Sequence, residues 1–182
     1  MMKTGTIRPT RPAPPLPARL FRYARFWVAF GAVFLADQLT KLVVVFLSGF
    51  DLGLYPPFGG MVVIPGFFNL VYAVNYGAAW GMLEGFSWLL VLLAVLVLVL
   101  IAVFRRELSL SRHRYQWCFG MICGGILGNT VDRLLRGHVV DFLDFHLPWY
   151  RWPTFNLADS GIVLGTLLYL LFQFREGRQK GP

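Results

Sequence analysis

The chain has 182 residues, of which 57% are hydrophobic and only 14% charged, and its formal net charge is +8. A soluble domain carries about a quarter charged residues, so this is the composition of a membrane protein without a large soluble domain. The positive balance does not point to nucleic acid, because the basic residues are segregated along the chain instead of forming one phosphate-binding patch.

Residues 1–25 hold Lys3, Arg8, Arg11, Arg19, Arg22 and Arg25 among five prolines, and read as an extended or disordered cytoplasmic tail. Residues 26–47 form an apolar segment of the length that crosses a bilayer, roughly 17–25 residues. That segment carries Asp37, Gln38 and Lys41. A cleaved signal peptide has an apolar region of only about 7–15 residues, so segment 26–47 reads as a retained first span. Residues 48–85 form an outer connection without a single Lys or Arg. Within it Met61-Val62-Val63-Ile64, the turn Pro65-Gly66 and the aromatic stretch 67–76 predict a small hairpin or sheet lying on the outer membrane face.

Residues 86–104 are nearly unbroken Leu, Val and Ala and predict a second span. Arg105, Arg106, Arg112 and Arg114 follow in an inner connection, then a Gly-rich third span at 117–135. Residues 136–156 read as a second outer loop that ends in the aromatic rim or anchor 148–153. Residues 159–174 predict the fourth span, and 175–182 a short basic tail. Lys and Arg concentrate on one side of the spans, with Arg133, Arg136 and Arg151 as exceptions, so both termini are expected in the cytoplasm. The expected fold is an all-α membrane protein of four transmembrane helices with a small β-sheet outside, and residues 26–174 as its working domain.

Ionisable side chains inside a membrane are costly and usually functional. Asp37 and Lys41 are four apart and share a helix face, so they are expected to pair. Asp132 adjoins Arg133, whose charge is permanent; an aspartate held by arginine is a poor proton shuttle, which makes this pair scaffold. Asn129, one turn earlier, offers amide hydrogen bonds to the same network. Asp141 lies in an apolar stretch with no adjacent cation, and Asp144 is a competing carboxylate three residues on. Asp159 lies in the first turn of the fourth span, with Asn156 as its N-cap. Two carboxylates in a poorly hydrated pocket do not both ionise readily, so one keeps a proton while the other serves as base. Such a pair hydrolyses an amide without metal or cofactor. Cys118 and Cys123 are five apart and do not share a face; no His/Cys ligand set with metal spacing occurs. His138, His146 and Ser160 do not make a nucleophile–base pattern. A transporter or proton relay using the same carboxylates is the rival reading, against which stand the few spans and the lack of a repeated broken-helix pair.

The ordered motifs Asp37-Gln38-Leu39-Thr40-Lys41, Asn75-Tyr76-Gly77-Ala78-Ala79-Trp80-Gly81, the run from Gly124 and Gly125 through Asn129 to Asp132-Arg133, Gly137-His138-Val139-Val140-Asp141-Phe142 and Phe155-Asn156-Leu157-Ala158-Asp159-Ser160 closely resemble bacterial lipoprotein signal peptidase, signal peptidase II. The resemblance covers the chain apart from its tails. It implies an inner-membrane aspartic endopeptidase that removes the signal peptide from a prolipoprotein, just before a cysteine already carrying diacylglycerol. It assigns the catalytic pair to Asp141 and Asp159. It assigns supporting or substrate-binding roles to Asp37, Lys41, Asn75, Gly125, Asn129, Asp132, Arg133 and Asn156. The outer sheet would be the substrate cradle. The implied partners are the lipid-modified precursor and membrane lipid, with the enzyme acting as a monomer. Trp80, where the family more often has Phe, the long N-terminal tail, Asp144 and the 149–152 rim depart from the pattern.

Overall fold

The computed structural model describes residues 22–78 and 81–179. Most of the expected N-terminal tail and Trp80 therefore lie outside the described residues. Helix α1 spans Ala24–Leu42 and runs on through a π-helical turn at Val43–Leu47. Strands β1 (Met61–Ile64) and β2 (Phe68–Asn75) follow, then helix α2 (Ser87–Val103) and helix α3 (His113–Arg136). Strands β3 (Val139–Leu147) and β4 (Tyr150–Arg151) precede helix α4 (Leu157–Gln179).

Helix α3 is the hub, with α1 and α4 packed along it and α2 held more loosely. The sequence reason is its glycine content. A Cβ on Gly128 would stand 2.6 Å from Asp37 Oδ2, and one on Gly125 would collide with the carbonyl oxygen of Ala158. These two positions bring α1 and α4 within backbone reach of α3. Helix α2 has no buried residue, and Leu92, Leu96 and Val99 are exposed along it, as Leu167 and Leu170 are along α4. Large apolar side chains presented outward along helices suit a lipid environment.

Two stretches, Ala24–Leu47 and Leu157–Arg178, are long and apolar enough to cross a membrane by length and composition. Helix α2 is apolar but only 17 residues long. Helix α3 is long enough at 24 residues but does not meet the test, because polar and charged residues interrupt its apolar stretch. The expectation of four spans is thus met at two of the four helices.

The sheet is larger than the expected hairpin. Four antiparallel strands run in the order β1-β2-β3-β4. Residues 139–147, expected within a loop, form β3 and place Asp141 on a strand in the middle of the sheet. The strand carries no clean polar alternation, because apolar residues stand on both of its faces, Val139, Leu143 and Phe145 on one and Val140 and Phe142 on the other. Phe142 and Val140 pack with Val44 from the π-helical turn, locking the sheet to the end of α1. Leu143 exchanges backbone hydrogen bonds with Phe155 at 2.9 and 3.1 Å, which brings the start of α4 beside Asp141.

Candidate active site

Lys41 is fully buried. An ammonium has three N–H donors, and Lys41 Nζ meets three acceptors: Asp37 Oδ2 and Asp132 Oδ2, each at 2.8 Å, and Asn129 Oδ1 at 3.0 Å. Arg136 binds the other oxygen of Asp132. Two carboxylates and two cations cancel, which is the condition for burying them. Asp37 Oδ1 also accepts the N–H of Ala158 at 2.9 Å, one of the donors that a helix start leaves without a partner. The Asp37–Lys41 pair expected from their spacing thus ties three helices together.

The expected Asp132–Arg133 pair does not form. Neighbouring helical residues point about 100° apart, and the cation one turn on, Arg136, takes Asp132 instead. Arg133 donates to the carbonyls of Gly77 at 2.7 Å and Asn129 at 3.3 Å. Its Nε is buried without a hydrogen-bond partner. Asp132 remains scaffold, held by Lys41 and Arg136. Gln38 completes that scaffold, donating to Asp37 Oδ2 at 3.1 Å and to the Gly128 carbonyl at 3.2 Å. Neither Gln38 nor Arg136 stood out as a site residue from sequence, although Arg136 lies at the i+4 spacing from Asp132.

Two asparagines carry the network outward. Asn129 accepts from Lys41 and donates through Nδ2 to Asp159 Oδ1 at 2.7 Å. Asn156 caps α4 as expected: its Oδ1 accepts the Asp159 N–H at 3.0 Å, while Asp159 Oδ2 accepts the Asn156 N–H at 3.3 Å. This reciprocal arrangement is a capping box. The Nδ2 of Asn156 donates to Asp141 Oδ1 at 2.7 Å. Asn75 supplies the second donor, Nδ2 to Asp141 Oδ2 at 3.2 Å, with its own Oδ1 fixed by the Gly77 N–H at 2.9 Å. The register explains the reach: Asn75 lies opposite Val139 and Ala73 opposite Asp141, so Asn75 and Asp141 are diagonal neighbours.

Asp141 and Asp159 line one cavity of about 1050 Å³, together with Asn75, Asn129 and Arg133. Asp141 is 3% exposed. Burial, then the negative charge of Asp159, push its carboxyl up from the usual 3.8 to about 7. Ile162, Val163 and Leu164 of α4 form an apolar side of the cavity; Tyr55, Phe145 and Trp152 form an aromatic one. Gly125 contributes no side-chain atom and acts by letting α4 approach.

The competing residues sit elsewhere. Asp144 lies on the opposite face of β3, where Asn69, His146 and Arg151 bind it. Their hydrogen bonds outweigh its burial and hold it below the usual carboxylate range. His138 packs edge-on against Tyr76, and its Nε2 is buried without a hydrogen-bond partner. Ser160 Oγ is bound to the Asn156 carbonyl at 2.9 Å. Both cysteines are buried and free.

A sequence profile of the family described as signal peptidase (SPase) II matches residues 29–175. The chain belongs to the signal peptidase II family. Every site residue named above lies within the matched stretch. The lipoprotein signal peptidase of Ralstonia nicotianae is 42% identical over 162 residues, covering 84% of this chain and 86% of that protein. The lipoprotein signal peptidase of Alteromonas mediterranea is 38% identical over 169 residues, covering 89% and 88%. Among solved structures, a bacterial membrane enzyme determined by the in meso method at 2.3 Å superposes with a TM-score of 0.77 at 28% identity, covering 87% of this chain and 92% of that one. A second, at 1.9 Å, gives a TM-score of 0.71 at 29% identity. Membership in this family makes the chain a membrane peptidase.

Proposed function

We propose that this chain is an aspartic endopeptidase that removes the signal peptide from diacylglyceryl-modified prolipoproteins, cutting before the lipidated cysteine, with Asp141 and Asp159 as its catalytic pair. One observation carries the assignment: the two carboxylates that share a cavity are each held by neutral amides, whereas Asp37 and Asp132 are neutralised by cations. Only amide-held carboxylates keep a proton affinity suited to acid–base work near neutrality.

Asp159, at the positive end of α4 and bound by Asn129, is the ionised member. Asp141, with its raised proton affinity, is the protonated one. Asp159 takes a proton from water as the water oxygen attacks the scissile carbonyl carbon. Asp141 donates a hydrogen bond to the carbonyl oxygen, where negative charge develops. The tetrahedral intermediate collapses with cleavage of the C–N bond, and the proton taken up by Asp159 passes to the leaving amine. Arg133 beside the pair balances the single negative charge that remains. Lys41, Asp37 and Asp132 set the positions of Asn129 and of the α4 N-terminus.

The same reading extends to topology. All four helices cross the inner membrane, α3 shielded by α1 and α4 so that its polar residues never meet lipid. Both termini lie in the cytoplasm, by the distribution of Lys and Arg, and the sheet lies outside as a substrate cradle. Residues 26–174 form the peptidase domain between two cytoplasmic tails, and the enzyme works as a monomer. The apolar α4 side of the cavity accepts the acyl chains.

The direct test is incubation of the purified protein in detergent with a diacylglyceryl-modified prolipoprotein and with its unlipidated precursor. Cleavage confined to the lipidated substrate is expected. Equal cleavage of both would remove the lipid from the specificity, and proton flux in liposomes without cleavage would favour a relay.

A further inference from the structure

Asp144, outside the catalytic network, is fully buried on β3 and keeps three partners: Asn69 Nδ2 at 3.0 Å, His146 Nε2 at 2.6 Å and the guanidinium of Arg151, whose Nε and Nη2 both approach Oδ1 at 3.1 Å. A long surface arginine ordinarily keeps its rotamer freedom in water. Here the ion pair to one oxygen of a buried carboxylate and the contact with the Tyr55 ring together restrict the guanidinium. It lies over the ring of Tyr55, with Cζ 4.0 Å from the ring centroid, well inside the range of a cation–π contact. The Tyr55 hydroxyl is 3.4 Å from Thr154 Oγ1. Five separate stretches of chain therefore converge: the loop before β1, strands β2, β3 and β4, and the segment before α4.

The convergence has a target. Tyr55 and Thr154 line the cavity that holds Asp141 and Asp159, which apolar residues of α4 also line. A half-buried ring lining a cleft, backed by an immobilised cation, is a rigid contact surface with little rotamer entropy left to lose on binding. Its place on the sheet side suits polypeptide, whereas the α4 side suits acyl chains.

We propose that Tyr55 is a substrate-contacting, specificity-determining residue, held by Asp144 and Arg151 as positioning residues, and that it takes the extended polypeptide following the modified cysteine. This rests on the peptidase reading above. The wall lies off the reacting atoms, so it acts on binding and leaves the chemical step alone.

The test is steady-state cleavage of a lipidated precursor with a long mature segment and of one truncated soon after the cysteine. Tyr55→Ala is expected to raise KM for the long substrate about tenfold, the worth of one good aromatic contact, with kcat within about twofold. On the truncated substrate the penalty should vanish. Tyr55→Phe keeps the ring and its stack on Arg151, so its KM for the long substrate should rise less than that of Tyr55→Ala. Arg151→Lys keeps the charge without the planar guanidinium that stacks on Tyr55 and should behave as Arg151→Ala, both raising KM. An unchanged KM in Tyr55→Ala, a fall confined to kcat, or a penalty that persists on the truncated substrate would overturn the proposal while the peptidase reading stands. No cleavage of either substrate by the unaltered protein would overturn that reading, and the wall with it. Because Tyr55 is not in the core, its variants should fold even if Asp144→Asn does not, and a thermal melt of each checks this.

Discussion

Asn156 and Asp159 hold each other at the start of α4, Asp159 N–H to Asn156 Oδ1 at 3.0 Å and Asn156 N–H to Asp159 Oδ2 at 3.3 Å. The cap leaves Asn156 Nδ2 free to reach Asp141 Oδ1 at 2.7 Å. One residue therefore starts the helix and sets the geometry of both carboxylates. Asn156→Ala should cost about 1 kcal/mol of stability as a lost N-cap and lower kcat by about 10–100-fold through the lost bond to Asp141. Asn156→Ser keeps a cap but is too short to reach Asp141, so it should recover the melting temperature and leave kcat low. Recovery of both would make Asn156 a capping residue only.

Lys41 saturates its three donors on Asp37, Asp132 and Asn129. Lys41→Met would leave buried carboxylates short of a countercharge. Such a break costs about 3–5 kcal/mol, and thermal unfolding in detergent should show it. A melting temperature within a degree or two of the unaltered protein would contradict the hub.

Burial, then the charge of Asp159, both oppose ionisation of Asp141 and push its carboxyl up to about 7. As the proton donor it must be protonated, so kcat/KM should fall as pH rises through about 7. The folded protein holds this proton between about pH 4 and 7, where the unfolded chain has lost it. Stability from this group is thus complete below about 4 and is lost as pH rises to about 7. Asp141→Asn should flatten that slope in the pH dependence of unfolding. An unaltered slope would mean that Asp141 is not the group responsible.

Gly125 has no room for a methyl group against the Ala158 carbonyl, one residue before Asp159. Gly125→Ala should force α4 off α3, costing about 1–3 kcal/mol as overpacking, and should lower kcat because Asp159 moves with the helix. Melting and turnover measured on the same preparation check both effects.

The helices were legible because apolar length needs no partner to be read: the segments expected at 26–47 and 86–104 match α1 with its π-helical turn and α2 within two residues. Local spacing also sufficed for the Asp37–Lys41 pair and the Asn156 cap. What failed was contact at a distance. Asp132 chooses Arg136 over adjacent Arg133 because a helix turns between neighbours, and β3 was hidden because a strand with two apolar faces shows no polar alternation. The links from Lys41 to Asn129 and from Asn156 to Asp141 join residues 88 and 15 positions apart, and no short-range pattern encodes them. The stack of Arg151 on Tyr55 is of the same kind, and nothing in either residue's neighbourhood announced it.

The catalytic pair is the central claim, and single turnover of a lipidated prolipoprotein by Asp141→Asn and Asp159→Asn tests it most directly, beside Asp144→Asn and with folding of each checked by melting. Each of the first two should abolish cleavage while the protein still inserts and folds, and Asp144→Asn should keep kcat. Substantial turnover by either Asp141→Asn or Asp159→Asn would contradict the pair.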